Sequence, residues 1–197
     1  MKTQEELIEL EQMITLNGQY PFRTNEAEMK RLNADPGQVE KLFERLMIER
    51  LQRWCEIAEE RLKNTTVKMY VTGGNDDVWA VESILRSSRY VIDPEGQVVK
   101  IDDDHEMISS SHSNPTPWKC PRDIPEEQLE NVLDAMAAKV DNMRNCIFNI
   151  HIPPVDSTLD TCVKLDVTSY PPKPIRRKGF SPLISLGSFT SRYGVLP

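Results

Sequence analysis

The first 64 residues carry apolar side chains at helical spacing. Thr3 opens a capping signal ahead of one run, Asn25 begins a shorter run, and Asp35 with Pro36 offers an N-cap and a first-turn proline for a third. The third run carries one apolar stripe, formed by Val39, Leu42, Phe43, Leu46, Met47, Leu51, Trp54, Ala58 and Leu62. This pattern predicts a helical arm, residues 1–64, that ends in a long amphipathic helix. Its stripe either packs as core against a sheet or serves as a lid or dimer contact.

From residue 65 onward, short apolar runs stop abruptly at glycine, proline or polar residues, as strands do in α/β proteins. Residues 67–72 alternate and then stop at two glycines, whereas residues 146–150 form a nearly continuous apolar run. A continuous run is typical of a strand buried on both faces. Further strands are predicted at residues 90–92, 98–101, 106–109 and 183–186, and helices after residues 78 and 125. Residues 65–197 are therefore expected to form a mixed α/β body.

Two polar side chains stand where predicted strands stop. Asn75 follows the glycines that end the first strand, and His151 directly follows the apolar run. Open α/β sheets place their chemistry at the carboxyl ends of strands, and an amide oxygen and an imidazole nitrogen are both ligands of divalent metals. The other interpretations are that Asn75 is a turn residue or helix cap and that His151 is a hydrogen-bonded structural histidine.

Three stretches, in order along the chain, resemble the calcineurin-like metallophosphoesterase superfamily and most closely a prokaryotic branch with a Gly-Asn-Asp-Asp motif. They lie at residues 72–77, 105–118 and 153–160 and read Thr-Gly-Gly-Asn-Asp-Asp, His-Glu-Met-Ile-Ser with Ser-Asn-Pro-Thr-Pro-Trp, and Pro-Pro-Val-Asp-Ser-Thr-Leu-Asp. The resemblance covers most of the chain. It implies part of a four-layer α/β/β/α sandwich that hydrolyses phosphate mono- or diesters with two divalent metal ions (Mn, Fe, Zn or Mg).

The resemblance assigns metal and acid roles residue by residue. Asn75 and His151 match two ligands of one metal. Asp76 stands where the family usually carries a histidine that contacts phosphate and protonates the leaving group. An Asp could act as that general acid only if burial kept its proton on, because an ionised carboxylate repels phosphate. Asp77 matches a carboxylate that orients a metal ligand, with capping of the following helix as the other interpretation.

Two further residues match the family through the loop that follows the second motif. Asn114 and Trp118 match a segment that lines the substrate side of the pocket. For Trp118 the other interpretation is a lid over core atoms. One interpretation of His105, Glu106 and His112 is a separate metal site, and the other is a solvated turn.

The rest of the family's ligand set is missing from this sequence. It has no Asp-x-His near its start, no Gly-Asp dipeptide and no Gly-His-x-His, and it holds three histidines in all. The resemblance therefore predicts an incomplete, inactive fragment that binds no metal or one weakly held ion. The alternative is a non-catalytic binding or dimerisation module on a degenerate scaffold, with a homodimer through the N-terminal helices.

Composition limits the classes of partner and the cellular compartment that we expect. A net charge of −7 argues against a nucleic-acid surface or an anionic membrane as partner. The sequence contains no Cys-x-x-Cys pair of the kind found in zinc ribbons. It also lacks an apolar run of the kind found in signal peptides or membrane spans. We expect a cytoplasmic protein whose partner, in the complete enzyme, is a phosphate-ester substrate.

Overall fold

The computed structural model describes residues 3–154, 157, 159–163, 165–168, 173–174 and 180–182. The chain contains both helices and short strands, so the fold is of mixed α/β class. The chain divides into two compact units, Met1–Ala58 and Glu59–Pro197.

Three helices make up the first unit, and each begins where the sequence predicts it. α1 (Gln4–Leu16) starts after Thr3, whose side chain forms a reciprocal capping box with Glu6. α2 (Glu26–Ala34) starts after Asn25, whose carboxamide oxygen accepts a hydrogen bond from the Glu28 backbone N–H. α3 (Pro36–Leu62) is the predicted long helix, and its last turn belongs to the second unit.

The apolar stripe of α3 is buried along only part of its length. Met47, Leu51 and Ala58 are buried, whereas the Phe43 side chain is 45% exposed and that of Trp54 is 58% exposed. The stripe therefore contributes core at some positions and leaves apolar surface at others.

The second unit begins with a strand–helix–strand unit. β1 (Met69–Tyr70) pairs in parallel with β2 (Val91–Ile92), and α4 (Ala80–Ser87) lies between them in sequence. Parallel neighbours need such a crossover. The strand predicted at residues 67–72 is present but reduced to two residues, and the loop that carries Asn75 leaves its carboxyl end.

A second strand–helix–strand unit supplies two of the strands of a three-stranded sheet. β3 (Val98–Lys100), β4 (Glu106–Ser110) and β5 (Cys146–Ile150) lie side by side in that order, with β4 antiparallel to β3 and parallel to β5. α5 (Glu126–Ala137) connects β4 to β5. The buried core of this unit joins the sheet to α5 and consists of Ile108, Leu129, Leu133, Met136, Ala137 and Ile152.

The expectation that β5 is buried on both faces is wrong. Phe148 and Ile150 pack against the α5 core, but Ile147 points to the opposite face and is 43% exposed. The reason is that successive side chains of a strand point to opposite faces, and the α5 core lies on the face that carries Phe148 and Ile150.

Four short strands follow in two antiparallel pairs. β6 (Thr161–Val163) pairs with β9 (Phe180–Pro182), and β7 (Leu165–Asp166) pairs with β8 (Lys173–Pro174). The strand predicted at residues 183–186 lies outside the described residues. None of the helices in the described part of the chain is long and apolar enough to cross a membrane.

Candidate functional site

Asn75 and His151 lie side by side although 76 residues separate them in sequence. The side-chain oxygen Oδ1 of Asn75 is 3.0 Å from Nε2 of His151. The His151 backbone N–H donates to the Ser110 carbonyl at 2.9 Å, which continues the pairing of β4 with β5 by one residue and fixes the backbone of His151. The structure thus brings together the two strand-end residues that the sequence singles out.

The close approach of the two residues requires glycine at position 74. A Cβ atom added to Gly74 would lie 3.0 Å from Cε1 of the His151 ring. Side chains rarely pack that tightly, so a larger residue would force the His151 ring to shift by a few tenths of an ångström. Gly74 does not have a positive φ, so glycine is favoured here by the nearby His151 ring and not by the backbone conformation.

Asp77 closes the turn that presents Asn75. One of its carboxylate oxygens accepts a hydrogen bond from the Gly74 backbone N–H at 2.6 Å, and its own N–H donates to the Gly74 carbonyl. The following helix, α4, begins at Ala80, and its N-cap residue is Trp79, which makes no side-chain hydrogen bond to the helix end. The helix-cap interpretation of Asp77 is therefore wrong, because its carboxylate is engaged within the turn.

Asp123 holds the carboxamide of Asn75 from the side opposite His151. Its Oδ1 accepts from Nδ2 of Asn75 at 2.9 Å. Its Oδ2 accepts from the Thr116 hydroxyl at 2.6 Å, the Thr116 N–H at 2.9 Å and the Cys120 N–H at 3.0 Å. Burial opposes ionisation of this carboxyl, but the hydrogen bonds from Thr116, Asn75 and Cys120 outweigh it and hold the pKa of Asp123 below its usual value. The sequence interpretation missed this residue.

Arg122 is fully buried and ties the Asn75 loop to the rest of the unit. Its backbone N–H donates to the Asn75 carbonyl, and its guanidinium donates to the backbone carbonyls of Asp77 and Val78. The same guanidinium forms an ion pair with Glu82, donates to the Ser111 hydroxyl, and lies 4.7 Å from the centre of the Trp79 ring. It is also close to Gly73, where an added Cβ would lie 3.3 Å from Cζ of the arginine. This anchor was not predicted either.

Asp76 is exposed and lies beside the thiol of Cys120. Burial raises the pKa of the Cys120 thiol, a hydrogen bond from Thr116 opposes that rise, and the carboxylates of Asp123 and Asp76 add to it. A general acid at position 76 would need burial to keep its proton. The exposed Asp76 side chain lacks that burial.

Asn114 and Trp118 lie in the loop that carries Asp123. Both are half-buried, and the loop closes on itself where the Ser113 N–H donates to the Arg122 carbonyl and the Ile124 N–H donates to the Ser113 carbonyl. Arg122 and Asp123, through their hydrogen bonds with Asn75, hold this segment against the Asn75 turn. The contact of Asn114 and Trp118 with a substrate stays a prediction.

His105, Glu106 and His112 do not form a common site. The His105 ring pairs with Asp102, and the Glu106 carboxylate accepts the backbone N–H of Asp141. His105 and His112 flank the two ends of the five-residue strand β4, which is roughly 16 Å long. Within the described residues, no group of three His, Cys, Asp or Glu side chains is arranged to hold a metal.

Comparisons with known proteins add little to this geometry. No family model matches the chain, and no curated protein matches it. A solved crystal structure matches with a TM-score of 0.47 and 16% sequence identity, over 78% of this chain and 56% of that one. The chain thus spans little more than half the length of that structure.

Proposed function

We propose that the chain carries the central part of a calcineurin-like metallophosphoesterase, an enzyme that hydrolyses phosphate mono- or diesters when complete. The observation that carries the proposal is the contact of Asn75 with His151 at 3.0 Å. Both residues stand at carboxyl ends of parallel strands, where α/β folds place their sites. The same proposal includes the partial four-layer sandwich, which the two strand–helix–strand units support.

The two side chains fit neighbouring positions around one divalent ion. Two ligands at right angles, each about 2.1 Å from an ion, lie about 3.0 Å apart, which is the separation of Oδ1 and Nε2 here. The imidazole nitrogen suits Zn and Fe, and the amide oxygen suits Mg and Mn. When bound, such an ion would neutralise charge on a phosphate ester.

The chain alone is proposed to bind that ion weakly and to lack activity. Two ligands come from the described residues, and no group of three is arranged there. Among the described cysteines, Cys55, Cys120 and Cys146 are free thiols, which supports the reduced, cytoplasmic setting that we propose for the enzyme.

Equilibrium dialysis against Mn²⁺, combined with an assay on bis(p-nitrophenyl) phosphate, tests the proposal. Wild-type chain should bind Mn²⁺ weakly, Asn75→Ala and His151→Ala should lose that binding, and none of the three should turn over substrate. Asp103→Asn with Asp104→Asn provides the matched control, because both residues line an acidic groove elsewhere whose carboxylates would account for any non-specific attraction of Mn²⁺. Equal binding by all variants would remove the metal role. Sustained turnover lost in both alanine variants would refute only the claim of inactivity.

Exposed apolar side chains on one side of α3 favour a second candidate function, self-association. Val39, Phe43, Trp54 and Ile57 are all more than a third exposed and share one side of α3. Trp54→Lys should then lower the fraction of dimer in sedimentation velocity, whereas Gln52→Lys, on the opposite side of the helix, should not. A monomeric wild-type chain at all concentrations would eliminate this candidate.

A further inference from the structure

We infer that Asp123 is a positioning residue that sets the orientation of the Asn75 carboxamide and so decides which polar atom of Asn75 faces His151. A carboxamide has one end that accepts hydrogen bonds and one that donates them, and the two ends have nearly the same shape. Only its hydrogen-bond partners can distinguish the ends, and Asp123 is such a partner for Asn75.

The orientation follows from what each partner can do. Four donors converge on Asp123: the Asn75 amide on one carboxylate oxygen, and the Thr116 hydroxyl, the Thr116 N–H and the Cys120 N–H on the other. A carboxylate with these partners acts purely as an acceptor. Nδ2 of Asn75, which carries hydrogens, must therefore face Asp123. Oδ1 is left facing His151.

The orientation of the Asn75 carboxamide determines which ring nitrogen of His151 carries the hydrogen. Its Nε2 lies 3.0 Å from Oδ1 of Asn75, and an oxygen can only accept there, so the ring must carry a hydrogen on Nε2. A chain of hydrogen bonds thus runs from His151 through Asn75 to Asp123 with a single direction. The consequence for metal binding rests on the proposed function: an ion would use the lone pairs of Oδ1 and would replace the hydrogen on Nε2, which the ring would then carry on Nδ1, whereas the Nδ2 amide group has no lone pair to offer.

Asp123→Asn should reverse this chain with almost no change in shape. The backbone N–H groups of Thr116 and Cys120 cannot become acceptors, so the oxygen of the new amide must stay on their side. Its NH₂ group then faces Asn75, where two NH₂ groups would oppose each other. Asn75 should rotate by half a turn and direct Nδ2 at His151, and the ring hydrogen should move from Nε2 to Nδ1.

The test is the ¹⁵N NMR spectrum of the histidine rings at about pH 9, where an imidazole is neutral and its protonated and unprotonated nitrogens have distinct shifts. His151 should carry its hydrogen on Nε2 in the wild type and on Nδ1 in Asp123→Asn. His105 and His112 serve as internal controls, since neither contacts Asn75. Thr116→Val is the matched variant, because it removes one donor to Asp123 and leaves its carboxylate in place.

Each outcome decides the inference. A switch at His151 in Asp123→Asn but not in Thr116→Val supports it. A wild-type ring protonated on Nδ1, an unchanged ring in folded Asp123→Asn, or the same switch in Thr116→Val would overturn it. Mn²⁺ dialysis separates the inference from the proposed function. If the ring switches while Mn²⁺ binding persists, the metal role fails and the positioning role stands.

Discussion

Arg122 shows how much one buried side chain can hold in place. Its charged group has no exposure, and its ion-pair partner Glu82 is also largely buried. One carboxylate oxygen of Glu82 is buried and has no hydrogen-bond partner among the described residues. The pair therefore depends on the arginine to offset the cost of burying the carboxylate.

Arg122→Met is predicted to destabilise the fold by about 3–5 kcal/mol, because it leaves the Glu82 carboxylate buried without its partner. The free energy of unfolding from urea titration measures this loss. The double variant Arg122→Met with Glu82→Gln should recover part of it, since no buried charge remains. A double variant as unstable as the single one would contradict the assignment of the cost to the unpaired charge.

Asp76 and Cys120 form a pair that can be probed without a ligand. Burial and the nearby carboxylates raise the pKa of the Cys120 thiol, so little of it is in the reactive thiolate form at neutral pH. Asp76→Asn should increase the rate at which iodoacetamide modifies Cys120. The measurement uses a background in which the other cysteines, Cys55, Cys146 and Cys162, are serine. An unchanged rate would show that the Asp76 carboxylate does not influence the thiol.

At the scale of helices and strands, the sequence predicted those elements whose boundaries are set by residues close to them in the chain. The starts of α1, α2 and α3 follow from local capping residues at Thr3, Asn25 and Asp35. The strand-end rule also predicted that Asn75 and His151 are placed at strand ends. The exposure of one face of β5 was not predictable in the same way, because it depends on which faces the neighbouring elements cover.

The two anchors of the site were missed for a related reason. Asp123 lies 48 residues from its partner Asn75, and Arg122 lies 40 residues from Glu82. Nothing local marks these contacts, and the sequence Asp-Ile-Pro-Glu-Glu around Asp123 instead indicates the start of α5. Only the tertiary arrangement brings the 113–123 loop against the Asn75 turn.

The 113–123 loop should contribute stability that depends on pH through Asp123. Because the pKa of Asp123 is lowered by folding, its contribution is fully present above the unfolded value of about 3.9 and is lost as pH falls through the folded value. Wild type should therefore exceed Asp123→Asn in urea midpoint at pH 7, and the gap should shrink below about pH 4. A gap that stays constant down to pH 3 would contradict this assignment.

The molecule as a whole combines a helical first unit with an α/β second unit whose strand ends meet at Asn75 and His151. Its net charge of −7 attracts cations in general, and the groove near Asp103 is lined by several carboxylates that add to this attraction. Mn²⁺ binding by the wild-type chain alone therefore does not identify the site, and the dialysis depends on its variants to do so. A measurement that reports position is needed.

The most direct test is a titration with Mn²⁺ followed by paramagnetic broadening of the side-chain NMR signals of Asn75 and the histidines. The proposed site predicts that the His151 ring and the Asn75 amide broaden at the lowest Mn²⁺ concentrations, and that the broadening persists in Asp103→Asn with Asp104→Asn. Broadening that begins at His105 and leaves His151 and Asn75 sharp would contradict the account, because the only Mn²⁺ site would then be the acidic groove.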